Sequence, residues 1–454
     1  MFIEKLTIPQ RLTLSFALVV VVGSILLSLP IMHQPGVQTV YLDHLFTTVS
    51  MVCVTGLTVL TVGDVYNTFG QIICIILMQI GGLGLITMLS ASALYLKKKL
   101  SLKEQYTLQA SFSNEHNLEL KPLLKSIYLF TFSIEAIAAF ILTFIFVPRY
   151  GWFKGIFNSI FIAVSAFCNA GFDNLGSISL QGEVTNVVLN LTIASLIIAG
   201  GIGFIVWFEV INIVKEYYKS NTRVFRIAFK KLSTHARLVI LSTGSILTLG
   251  TFLTWLTEYG NPNTLAKYSL PQQLLISFFQ TVTMRTAGFA TLDYTLTRPI
   301  TNLLYIMQMV IGGAPGGTAG GFKITTAAIL VLLFKAELNG QREIQFRRRT
   351  IRNEVIKQTI VVLTFFFTVF MLGWALLMAT QTHLDPFSLL FEVSSALATV
   401  GVTMNLTSEL DTIGRIIIMC LMFIGRVGPA TILLSIMSKT KRKIHYANAD
   451  IYIG

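Results

Sequence analysis

Charge is what this sequence has least of. Only 12% of its 454 residues are Asp, Glu, Lys or Arg, while 54% are hydrophobic. A soluble domain carries roughly 25% charged residues. A soluble chain of this length would form two or three domains, each needing a charged surface. Too little charge is present to cover them, so the composition argues against a water-soluble enzyme and for a polytopic membrane protein. Mean hydropathy is +0.71.

Other shortages narrow the reading further. The four cysteines, Cys53, Cys74, Cys168 and Cys420, lie in apolar stretches with no CxxC or His-paired spacing. They read as small buried hydrophobes, not as disulfides or metal ligands. No GxGxxG follows a strand and no GxxxxGK[ST] occurs, so the chain carries no nucleotide-binding motif. The apolar stretch Leu12–Leu29 is followed by Pro30-Ile-Met-His, with no small-residue cleavage site, and reads as a retained first span. His33, His44, His116, His235, His383 and His445 fall in loops or near span ends. That leaves a membrane-embedded enzyme without converging groups at membrane depth.

What the sequence does have is apolar length. Eight stretches are long enough to cross a bilayer: about 12–30, 70–95, 123–147, 184–208, 236–257, 300–334, 354–379 and 411–437. Between the members of each pair lies a stretch too brief to cross, about 42–54, 156–169, 272–286 and 387–399, which reads as a re-entrant helix. The net charge of +13 is unevenly placed. Basic residues cluster in three loops (97–125, 215–237 and 335–357), at Lys5 and Arg11, and in the tail from Lys439 to Lys443. Those regions hold 26 of the 34 basic residues. Positive residues mark the cytoplasmic side of membrane proteins, so both termini and all three loops are expected there. The lipid bilayer, not nucleic acid, accounts for the positive charge.

The short stretches repeat in sequence. Phe46-TTVSMVCVT-Gly56, Phe161-IAVSAFCNA-Gly171, Phe278-FQTVTMRTA-Gly288 and Phe391-EVSSALATV-Gly401 each run ten residues from Phe to Gly. Their glycines are 115, 117 and 113 residues apart. A second marker follows in the next span: Gly81-Gly-Leu-Gly84, Gly200-Gly-Ile-Gly203, Gly312-Gly-Ala-Pro315 and Gly425-Arg-Val-Gly428. Two markers at matching intervals indicate four units: 1–98, 99–220, 221–340 and 341–440, with 441–454 as a tail. The expected fold class is an all-α membrane protein. Eight transmembrane helices and four re-entrant pore helices form four parallel span–half-span–span repeats around a pseudo-fourfold pore.

This arrangement has a chemical reading. A monovalent cation crossing hydrocarbon must exchange its water for fixed oxygens, and rings of backbone carbonyls supply them without burying charged side chains. Glycine permits the torsions that turn carbonyls inward. A short helix ending just before each glycine directs its negative dipole end toward the ion. The candidate filter residues are therefore Val54, Thr55, Gly56, Asn169, Ala170, Gly171, Thr286, Ala287, Gly288, Thr399, Val400 and Gly401. The second marker reads better as close helix packing.

Several residues depart from the repeat. Gly312-GAPGGTAGG-Phe322 interrupts the long span of the third unit with glycines and a proline that no regular helix tolerates. Its residues Gly312, Gly313, Gly316, Gly317, Thr318, Gly320 and Gly321, with Lys323 closing the stretch, form a candidate gate. Arg426 belongs with them, since an ionisable residue well inside a span is costly and a functional candidate. Its guanidinium is expected to hold loop carbonyls or to act as a barrier to cations. Arg285, three residues before Gly288, is expected to tether its short helix to the following segment. Glu209 and Glu392 are expected at interfaces, and Glu135 near membrane depth. Asp43, His44, Asp173, Asp293, Asp385 and Glu409 are placed toward an outer mouth.

Fourfold units with one glycine each, as in Cys168-NAG-Phe172 and Met284-RTAG-Phe289, together with the interrupted third span and Arg426, resemble the Trk/Ktr/HKT superfamily of potassium transporters. The resemblance covers nearly the whole chain and is closest to the bacterial Ktr membrane subunits. It implies potassium uptake with sodium stimulation, no bound cofactor, and K⁺ at the four glycines. It further implies a homodimer seated on a cytoplasmic nucleotide-binding regulatory ring of the KtrA/KtrC type, for which the basic loops offer a docking surface. A proton- or sodium-coupled secondary transporter of another solute is the alternative. Such carriers usually show two-part symmetry, whereas four parallel units favour a pore.

Overall fold

A computed structural model describes residues 8–84, 120–176, 179–219 and 231–428. The segment before Ile8, most of the first basic loop, part of the second and the tail after Gly428 lie outside the described residues, as do the positive charges they carry.

The described residues are mainly helical, with almost no strand. The first quarter contains α1 (Ile8–Leu27), α2 (Tyr41–Cys53), the one-turn α3 (Val62–Val65) and α4 (Thr68–Leu83). The second contains α5 (Leu120–Tyr150), α6 (Trp152–Phe167), α7 (Val187–Gly201) and α8 (Phe204–Lys219). In the third are α9 (Thr234–Glu258), α10 (Leu270–Thr283), α11 (Pro299–Val310) and α12 (Ile324–Leu338). The fourth has α13 (Asn353–Thr380), α14 (Pro386–Ala398) and α15 (Thr412–Val427). A small antiparallel hairpin, β1 (Gln345–Phe346) and β2 (Arg349–Thr350), sits in the third basic loop, where only loop was expected.

Among the described residues three helices are long and apolar enough to cross a membrane: Leu124–Tyr150, Thr234–Glu258 and Asn353–Thr380. They are the first long helices of the second, third and fourth quarters. Their outward faces carry large apolar side chains such as Leu129, Phe140, Phe144, Phe252, Phe367 and Leu372. Exposed apolar patches of this extent mark a membrane surface. The four short helices match the expected half-spans closely, and each is buried along most of its length.

The second long helix of each quarter starts alike. Asn67 accepts from the N–H groups of Phe69 and Gly70, Asn186 from Leu189, and Asp411 from Gly414. In the third quarter Pro299 occupies the first turn. Side-chain oxygens at the N-cap satisfy helix donors that have no backbone partner, and proline at the first turn has no such donor to satisfy. Asn67, Asn186, Arg298 and Asp411 recur at the same interval as the second glycine marker.

One expectation is corrected. The stretch 184–208 reads as one span, but the chain breaks after Gly201 and α8 turns by 101° from α7. Gly203 takes φ of 95° there, and a Cβ on it would stand 2.8 Å from the Pro315 carbonyl oxygen of the Gly312–Phe322 loop. Equivalent glycines end the helices of the first and last quarters, Gly84 at 82° and Gly428 at 88°. Left-handed torsions cannot continue a right-handed helix, so the second quarter is interrupted as the third is, and α4 and α15 each end at such a glycine.

Candidate functional site

The four short helices are followed by one backbone signature. Val54, Asn169, Thr286 and Thr399 adopt φ of 55, 57, 63 and 53°, and Gly56, Gly171, Gly288 and Gly401 follow at 101, 72, 84 and 98°. For β-branched residues such as Val54, Thr286 and Thr399 this region is strained and persists only when the surroundings impose it. The surroundings here are the helix ends. Thr55 N–H donates to the Ser50 carbonyl at 2.8 Å, Ala170 to Ser165 at 2.8 Å, Ala287 to Thr283 at 3.0 Å and Val400 to Ser395 at 2.8 Å.

The glycines meet in a ring. A Cβ on Gly56 would stand 2.8 Å from the Ala170 carbonyl oxygen and 3.2 Å from Gly401 Cα. On Gly171 it would stand 2.7 Å from the Ala287 oxygen, and on Gly288 2.5 Å from the Val400 oxygen. On Gly401 it would strike the Thr55 oxygen and lie 2.8 Å from Gly56 Cα. Each glycine thus abuts the carbonyl of the next quarter, and the last closes on the first. Only glycine combines these torsions with so close an approach. The carbonyls of Thr55, Ala170, Ala287 and Val400 come to the ring, and the negative ends of α2, α6, α10 and α14 converge on it.

On one side of the ring opens a cavity of about 400 Å³, lined by Gly56, Gly171 and Gly288 together with Asp173, Thr403 and Asn405. Asp173 is the one acidic residue of the expected mouth that lines it. Ser179 and the Leu175 N–H donate to its carboxylate, and burial raises the carboxyl above the ordinary range. Four of the other rim groups are engaged elsewhere. Asp43 pairs with Arg415 at 2.7 Å, and Asp385 caps α14. Asp293 accepts from Thr295, and His44 bonds Thr39 and Tyr66.

On the opposite face of the ring lies the interrupted loop. Gly320 presses on Thr399, Gly321 faces the Ala398 carbonyl at 2.9 Å, and Gly312 faces Thr286 at 3.3 Å, distances again taken to a Cβ. Thr318 joins it to its neighbours. Its N–H donates to Gly200 at 3.1 Å, its hydroxyl to the Phe167 carbonyl at 3.0 Å, and its own carbonyl accepts from Arg426. The same guanidinium donates to the carbonyls of Gly81 and Gly82. Arg426 therefore links the loop to the first quarter while standing on the fourth. Further bonds tie the loop to the α7–α8 bend: Ala314 N–H to Gly201 at 2.8 Å, and Phe204 N–H to Gly316 at 3.0 Å. Lys323 Nζ donates to Ala319 within the loop at 2.8 Å.

The second marker packs as expected. Gly81 abuts the Val52 carbonyl, Gly200 that of Phe167 and Gly425 that of Leu397, each at the end of a short helix. Two charged residues differ from expectation. Arg285 is buried, but its Nε and one terminal nitrogen have no partner among the described residues, so the expected tether is not formed. Glu392, expected at an interface, is fully buried and accepts from Thr403 at 2.6 Å and Thr407 at 2.5 Å. It therefore does in the fourth quarter what Arg285 was expected to do in the third. In the third quarter that task falls to Gln280, which bonds Thr291 and Tyr294. Glu209 accepts from Ser233 at the start of α9, and Glu135 is buried on α5. The signal that could have found Glu392 is position, since it lies inside the 387–399 stretch and not at its edge.

Fold and site together define a helical membrane protein with fourfold internal repetition about a ring of main-chain carbonyls. The chain belongs to the TrkH family of cation transport proteins, whose model matches residues 10–443. It is a transporter family and not one of enzymes, and the resemblance to the Trk and Ktr proteins is borne out. The chain is 38% identical over 452 residues to the Ktr system potassium uptake protein B of Bacillus subtilis (strain 168), covering 99% of this chain and 97% of that protein. It is 37% identical over 459 residues to the potassium/sodium uptake protein NtpJ of Enterococcus hirae, covering 99% and 98%. The crystal structure of the potassium transporter TrkH from Vibrio parahaemolyticus matches with a TM-score of 0.73 at 18% identity, over 96% of this chain and 85% of that one, which bears on the fold alone.

Proposed function

We propose that the chain is the ion-translocating subunit of a potassium uptake system of the plasma membrane. It conducts K⁺ inward, with sodium stimulation, through a filter formed by Val54–Gly56, Asn169–Gly171, Thr286–Gly288 and Thr399–Gly401. The observation that carries this reading is the ring of four positive-φ glycines, each against a carbonyl of the next quarter. Fixed carbonyls replace the water shell of a monovalent cation, and helix ends supply negative potential without a formal charge. The names of the relatives, potassium and potassium/sodium uptake proteins, agree with that chemistry.

The Gly312–Gly321 loop, with Lys323 and Arg426, occludes the path on the far side of the ring and gates it. Eight spans and four re-entrant helices, in units 1–98, 99–220, 221–340 and 341–440 followed by a tail, put both termini in the cytoplasm. The naming of a relative as part of a Ktr system agrees with an assembly that includes partner subunits, which we take to be a homodimer on a cytoplasmic nucleotide-binding ring of the KtrA/KtrC type. The test is growth of a potassium-uptake-deficient bacterium at low potassium. The chain is expected to restore it and a Gly288→Asp variant to fail; rescue by that variant at wild-type expression sinks the filter. Rubidium flux into liposomes with no proton gradient separates a pore from a coupled carrier.

A further inference from the structure

The four filter segments are alike in torsion but not in support. Six residues before the ring glycine stand Ser50, Ser165, Val282 and Ser395. The Ser50 hydroxyl accepts from the Gly56 N–H at 3.1 Å, and the Ser395 hydroxyl from the Gly401 N–H at 3.0 Å. Ser165 occupies the same place and is equally buried, yet its hydroxyl has no partner among the described residues. Val282 has none to offer. In the third quarter Thr283 instead donates to the Phe289 carbonyl at 2.7 Å, beyond the glycine.

The consequence follows from the planarity of the peptide bond. In a trans peptide the N–H and the preceding C=O point in opposite directions in one rigid plane. Holding the Gly56 N–H against α2 therefore fixes the direction of the Thr55 carbonyl, and holding Gly401 against α14 fixes that of Val400. In each case the serine grips the segment twice, its own carbonyl taking the N–H of Thr55 or Val400. The Ala170 and Ala287 carbonyls have only the second of these restraints. Gly56 and Gly401 are neighbours in the ring, so the stiffened carbonyls form one half and the less restrained ones the other.

We propose that Ser50 and Ser395 are positioning residues for cation discrimination, which they exert by preventing rotation of the Thr55–Gly56 and Val400–Gly401 peptides. The inference rests on the filter reading above. A small cation such as Na⁺ needs shorter oxygen distances than K⁺, and a carbonyl free to rotate inward can supply them. Fixed carbonyls cannot, so locking half the ring penalises the smaller ion.

The experiment is competition of Na⁺ against rubidium uptake by the full chain in liposomes. Variants are Ser50→Ala, Ser395→Ala, the pair, both Ser→Thr replacements, and Ser165→Ala. Each serine-to-alanine change is expected to shift the Na⁺/Rb⁺ ratio toward Na⁺ by about fivefold, the factor that one ordinary hydrogen bond represents. Threonine, which keeps the hydroxyl, is expected to restore the ratio, and Ser165→Ala to leave it unchanged. If the pair does not fold, either single variant is read alone. A Gly401→Ser variant separates the two readings. Should it alter the ratio while the serine variants do not, the positioning role is overturned and the filter stands. An unaltered ratio in all of them overturns both.

Discussion

Gly401 lies against the carbonyl of Thr55, so the last quarter of the chain closes the ring on the first. Any side chain at Gly401 must displace that carbonyl, and its φ of 98° adds backbone strain on the order of 1–3 kcal/mol for a non-glycine residue. Gly401→Ala is therefore expected to lower rubidium uptake about tenfold or more while the protein still reaches the membrane. Normal uptake would remove Gly401 from the conduction path.

Arg426 tests the gate. It donates to Thr318 in the loop and to Gly81 and Gly82 in the first quarter, and charge-assisted bonds of this kind contribute about 1.5–3 kcal/mol each. Arg426→Ala is expected to raise basal flux about tenfold, and Arg426→Lys to fall between, since an ammonium lacks the planar fork. Deleting Gly316–Gly320 is expected to act in the same direction. Unchanged flux in a folded deletion variant would show that the loop does not occlude the path.

The carboxyl of Asp173 tests the mouth. Burial raises it, so it loses its charge earlier than an ordinary aspartate as external pH falls. An ionised carboxylate in the cavity raises local cation concentration, and protonation removes that attraction. The apparent affinity for rubidium is expected to be weaker at acid than at neutral external pH, with the loss beginning at a higher pH than an ordinary aspartate would give. Asp173→Asn is expected to show the weaker affinity at both pH values and a flatter profile, measured as initial uptake at low rubidium.

Gly200 tests the packing under the ring. A Cβ there would strike the Phe167 carbonyl and lie 2.5 Å from the Thr318 hydroxyl. Overpacking of this kind costs about 1–3 kcal/mol. Gly200→Ala is expected to lower the unfolding temperature in detergent, whereas Gly244→Ala, inside α9 with open space around it, is expected not to lower it.

Much of this site could be read from spacing. The interval of the Phe-to-Gly runs located the four short helices and their glycines, because a ring of repeated units requires equal chain lengths between contributors. Gly312–Gly321 and Arg426 stood out because each violates the local rule for a membrane helix. Less legible were the left-handed torsions of Val54, Thr286 and Thr399, which propensity opposes and the neighbouring quarters impose. The 101° turn after Gly201 was hidden as well, since apolar residues continue across it. The recurrence of Asn67, Asn186, Arg298 and Asp411 at the marker interval was a usable signal. It gives the start of each second long helix directly.

A ring made of main-chain oxygens has no side chains to exchange. Substitution at its own glycines can obstruct or distort it, but cannot offer a different set of ligands. Any gradual adjustment of ion preference in such a protein must be written in the residues behind the ring, whose changes alter how firmly the same oxygens are held.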